Sequence, residues 1–141
     1  MLIAAMVLGL IGGIAYFVGG GAGAVDPGIF IVSGATSAPT SAPWWVIALI
    51  PIGAVAIIGA ALVRVNSGLG GSILLLAGAA AISVGFASFE EAVNNGRLVL
   101  GPLSVHAFAG PTGWLPVPLL ALIIAGALAL AAGKRSESDK N

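Results

Sequence analysis

The chain has 141 residues, of which 59% are hydrophobic and 7% charged, against about 45–50% and about 25% in a soluble domain, so a soluble globule is excluded as the fold class. Five basic and five acidic residues cancel, leaving no basic stripe to neutralise phosphates, which sets nucleic-acid binding aside. Cysteine is absent, and with it any disulfide framework, thiolate nucleophile, iron–sulfur cluster or thiolate-held metal.

The first apolar run covers about 1–20 and carries Ala5, Gly9 and Gly13 at intervals of four. That small-xxx-small spacing lets two helix backbones approach closely in lipid, where burying apolar groups against each other gains little. Ala22-Gly23-Ala24 has the look of a signal-peptidase site, but the run lacks a basic start and exceeds the roughly 7–15 residues of a signal core, so it is expected to stay as a span. Residues 21–43 form a loop rich in Gly, Ser, Thr and Pro, with Asp26-Pro27-Gly28 as a turn and Ile29–Val32 as a short apolar segment that could pair as a strand.

The second run, 44–63, opens on Trp44 and Trp45 and contains Pro51, expected to give a static bend. A tight turn follows at Arg64–Gly68. The third run, 71–88, places Gly78 and Gly85 one heptad apart with Ala81 on nearly the same face, and it is the only faintly polar span, through Ser72, Ser83 and Ser88. The loop 89–113 holds Glu90, Glu91, Arg97 and His106, and Asn95-Gly96 is a turn signal consistent with a short β-hairpin.

The fourth run, 114–133, begins at Trp114, tolerates Pro116 and Pro118 in its first turn, and carries Ala121, Ala125, Ala129 and Gly133 as a continuous small stripe. A polar tail, 134–141, ends the chain. Each run approaches the roughly 20 residues needed to cross a hydrocarbon core, and none contains Asp, Glu, Lys, Arg or His. Only helices satisfy the backbone over runs this uniform. The expected fold is therefore an all-α membrane protein of four transmembrane helices forming one domain over 1–133.

Arg64, Lys134, Arg135 and Lys140 fall on one side of these spans and only Arg97 on the other. The positive-inside rule then gives a multi-pass protein of the plasma or inner membrane with both termini cytoplasmic and the two longer loops outside. All nine aromatic residues, from Tyr16 to Trp114, lie in the outer half, with Trp44, Trp45 and Trp114 as interface anchors.

Chemistry is sparse. Glu90 and Glu91 are adjacent, so on a helix they point about 100° apart, and only Asp26 could join them outside the membrane. His106 is the sole histidine, which excludes a bis-histidine metal or haem site. Gly19-Gly20-Gly21 and Gly68-Leu69-Gly70-Gly71 supply no Lys-Ser/Thr pair for a phosphate loop and read as linkers or helix ends. The absence of charge within the spans argues against a pump or proton-coupled carrier.

The composition resembles that of small bacterial four-helix membrane proteins, without a motif that defines a family. The expected function is a non-catalytic accessory, assembly or scaffolding subunit, with the lipid bilayer and a membrane protein or its own copies as partners and no cofactor. A homo-oligomeric channel or passive carrier for a small solute is the alternative.

Overall fold

A computed structural model describes residues 1–25, 44–94 and 116–138. Four helices account for all of them but Met1 and the turn 63–66: α1 (Leu2–Val25), α2 (Trp44–Leu62), α3 (Ser67–Asn94) and α4 (Pro116–Ser138). No strand occurs among the described residues. The apolar segment 29–32, the Asn95-Gly96 turn with its possible hairpin, Arg97, His106 and Trp114 lie outside them.

α1, α3 and α4 extend past the apolar runs that announce them, while α2 ends one residue short of its run. α1 passes through Gly19, Gly20 and Gly21 as unbroken helix, and Gly68 to Gly71 form the opening of α3 rather than a linker. With the backbone paired internally, nothing at the end of an apolar run forces a helix to stop; Glu90 and Glu91 accordingly sit in the last turns of α3, not beyond them.

α1, α3 and α4 are each long and apolar enough to cross a membrane, and α2 is a shorter apolar helix. Its 19 residues rise about 28 Å at roughly 1.5 Å per residue, close to the thickness of a hydrocarbon core of about 30 Å. Pro51 lies inside α2 on an exposed face, and the helix continues through it.

The helices form a closed ring in chain order, each packed on its sequence neighbours and α1 returning to α4. The register is up-down-up-down. Gly9 faces Ala60 and Gly20 faces Ile50, so α1 and α2 run antiparallel; Gly71 faces Ala129 and Gly78 faces Ile123, so α3 and α4 do as well. The start of α1, the α2–α3 turn with Arg64, and Lys134 therefore share one end of the bundle, the basic end, while Tyr16, Phe17 and Trp44 belong to the other half.

Local chemistry makes the tight connection between α2 and α3. Leu62 O accepts from Val65 N (3.0 Å) and Asn66 N (2.8 Å), closing α2. Asn66 then caps α3, its Oδ1 accepting from Leu69 N at 3.0 Å, the side-chain bond by which an N-cap satisfies an orphan amide. Arg64 stands in this turn at the C-terminus of α2, where a cation complements the helix dipole.

Candidate functional site

The feature on which the fold depends is a set of reciprocal glycine crossings. A Cβ at Gly53 of α2 would lie 2.6 Å from Gly13 O of α1, and one at Gly13 would lie 3.1 Å from Gly53 O. The same exchange joins α2 to α3, where a Cβ at Gly70 would meet Gly59 O at 2.8 Å and one at Gly59 would meet Gly70 O at 3.3 Å. It recurs between α3 and α4, with Gly71 and Gly126 each placing the other's carbonyl 3.0 Å from a would-be Cβ. The fourth contact is one-sided: Gly12 fits against Leu122 and Pro118 O, the latter at 2.9 Å.

At Gly53 and Gly70 the first obstacle to a side chain is partner backbone, which cannot rotate away, whereas at Gly59 and Gly126 the Ile73 and Leu75 side chains come nearer than the partner carbonyl. Close backbone approach of this kind is how helices gain dispersion and weak Cα–H···O contacts in lipid.

Of the sequence-selected packing residues, Ala5, Gly9, Gly13, Gly78, Ala121, Ala125 and Ala129 are buried, and Gly133 abuts Ser67 at the basic end. The surroundings of Gly85 lie outside the described residues. The fourth-helix stripe faces the chain's own interior, Ala125 and Ala129 both being fully buried, so it holds this bundle together rather than receiving a partner. Sequence spacing missed Gly12, Gly53, Gly59, Gly70, Gly71 and Gly126. The adjacent pairs Gly12-Gly13 and Gly70-Gly71 were the available signal: residues about 100° apart on a helix serve two neighbouring helices at once.

Trp44 is half exposed at its helix start; the side chain of Trp45 lies outside the described residues. Tyr16 departs from the aromatic group. Its side chain is fully buried, and its hydroxyl has no hydrogen-bond partner among the described residues. α1 turns this position inward because Tyr16 follows Gly12 and Gly13 by one turn, between the faces that meet α4 and α2.

The two serines described within the third span point outward. Ser72 donates to Gly68 O (2.9 Å) and Ser83 donates to Ala79 O (3.1 Å), both exposed, so neither lines a path through the bundle. They share an outer face with Leu69, Leu76, Ala79 and Ala80, all exposed. The other helices present mostly large apolar groups outward: Ile3, Val7, Ile11, Ile14 and Val18 on α1, Ile47, Val55 and Ile58 on α2, Val117, Leu120 and Ile124 on α4.

No group of three or more His, Cys, Asp or Glu is gathered among the described residues. No family model, no curated protein and no solved structure matches the chain.

Proposed function

We propose that the chain is a non-catalytic accessory, assembly or scaffolding subunit of a membrane complex, and that the outer face of α3 is where it meets its partner helix. The observation that carries this reading is the contrast between that face, where the small or weakly polar Ser72, Ala79, Ala80 and Ser83 lie beside Leu69 and Leu76, and the mostly large aliphatic side chains turned outward by the other helices. Lipid tails are as well served by Leu and Ile as by anything; a protein helix is better served by small residues and hydroxyls. The interior supports the same reading, since the space between the described helices is filled by Ala, Leu, Ile and Val side chains with Tyr16, and no Asp, Glu, Lys, Arg or His is among them. In this reading the basic end, with Arg64, Lys134, Arg135 and Lys140, faces the cytoplasm of a cell or inner membrane.

The cysteine-free sequence permits a clean test. Single substitutions Ala80→Cys and Ser83→Cys on α3, against Ile11→Cys and Ile14→Cys on α1, are labelled with a benzophenone maleimide, photolysed in native membranes and read by mass. Crosslinked adducts at the α3 positions only, with a defined second chain, are expected. Adducts at neither face, or equally at both, count against the reading.

The outward serines favour one alternative, a homo-oligomer whose α3 faces line a pore for a small solute. Adducts at α3 containing only this chain, together with solute flux above that of empty vesicles, select it.

A further inference from the structure

At the basic end an open groove of about 810 Å³ lies between the first half of α3 and the last turns of α4, within the roughly 300–1,000 Å³ of small-molecule sites. Its cause is a change of side-chain size along α4. The outward positions Val117, Leu120 and Ile124 are large, whereas the next two, Ala127 and Ala131, are small and exposed. The wall opposite is opened by Gly68 and deepened by Leu75. The groove is thus apolar along the helices and open on the face turned to lipid.

Its mouth has a different chemistry. Lys134 stands exposed at the rim beside Asn66, Ser67 and Gly68. Ser67 and Gly68 open α3, so their amides have no acceptor within the helix, and the Asn66 side chain caps Leu69 N instead. Arg64 lies in the adjoining turn, and α3 has no acidic residue in its first turn. An apolar trough that begins inside the bilayer and ends at a cation and free donors matches a molecule with an acyl chain and an anionic headgroup, and basic pockets between membrane helices are established headgroup sites.

We propose that this groove binds one anionic phospholipid, an acyl chain lying over Ala127 and Ala131 and the phosphate meeting Lys134. The apolar depth commits the site to a lipid rather than to free phosphate, which would leave the trough unfilled.

The test uses the full chain reconstituted in mixed vesicles of phosphatidylcholine and phosphatidylglycerol, extracted in mild detergent and weighed by native mass spectrometry. One retained phosphatidylglycerol is expected. Lys134→Gln is expected to lower its retention about fivefold, the effect of one basic residue near a membrane surface, and Ala127→Leu with Ala131→Leu to abolish it by filling the trough, with helical content unchanged. Lys134→Gln alone keeps the proposal testable should the double variant misfold. Equal retention of phosphatidylcholine, loss of the adduct to added inorganic phosphate, or retention indifferent to Lys134→Gln each overturns the proposal. So does a groove shielded by the residues after Ser138 or by a second copy, read as lipid binding that appears only when those residues are removed or as a dimer lost in the double variant.

Discussion

α1 and α3 stand at opposite corners of the bundle, alike on the inside and different on the outside. Each turns an adjacent glycine pair inward, Gly12-Gly13 and Gly70-Gly71, and so reaches both neighbours at close range. Outward, α1 shows Ile3, Val7, Ile11, Ile14 and Val18, whereas α3 shows Ser72, Ala79, Ala80 and Ser83 beside Leu69 and Leu76. Glycine crossings alone do not mark a recognition surface, since both helices have them. What distinguishes α3 is the side that faces away from its own bundle.

The strongest attack on this comparison is to remove the inside device. Gly53→Leu drives a side chain into the α1 backbone around Gly13 O and Phe17. Overpacking costs about 1–3 kcal/mol where side chains can yield; here backbone must move, so the cost is expected at the upper end or above. Thermal unfolding followed by circular dichroism in detergent, with size exclusion, is expected to show a large loss of stability or no monodisperse bundle. Unchanged melting would mean that the α1–α2 crossing is wrong.

A milder change tests the outside. Ala80→Leu roughens the α3 face without touching the interior, and is expected to weaken association by about 1–2 kcal/mol, the scale of an interhelical contact in lipid, or roughly tenfold in affinity. Melting of the bundle should stay at the wild-type value. Ile11→Ala on the corresponding face of α1 is expected to leave association unchanged. Equal effects from both substitutions would dissolve the distinction between the two faces.

The four helices were legible from hydropathy because lipid leaves so few ways to satisfy a backbone, and the short turn because Arg64 and Asn66 interrupt two long apolar runs, although Ser67 and Gly68 belong to α3. The crossings were only half legible. Spacing of four finds a stripe that one neighbour reads, as with Ala125 and Ala129, but Gly53 and Gly59 on α2 are six apart and serve different partners, so no single stripe contains both. Tyr16 was hidden for another reason: composition near a membrane boundary places tyrosine at the headgroups, and only the helix phase set by Gly12 and Gly13 turns it inward. An unsatisfied buried hydroxyl costs about 1–3 kcal/mol. Tyr16→Phe is therefore expected to hold or raise stability, by about 1 kcal/mol, in the same unfolding assay. A loss of comparable size would show that the hydroxyl has a partner in the folded protein.

The smallest expected effect separates crossing glycines from the rest. A Cβ at Gly19 meets no atom within 4 Å, while one at Gly13 meets Ile57 N at 2.9 Å. Alanine is the better helix former by about 0.5–1 kcal/mol, so Gly19→Ala is expected to raise the melting temperature slightly and Gly13→Ala to lower it. The two substitutions are chemically identical, on one helix and six residues apart, so propensity cancels between them. A difference of opposite sign measures the close approach itself; the same sign at both sites would leave α1 stabilised by its apolar surface alone and return its glycines to the status of composition.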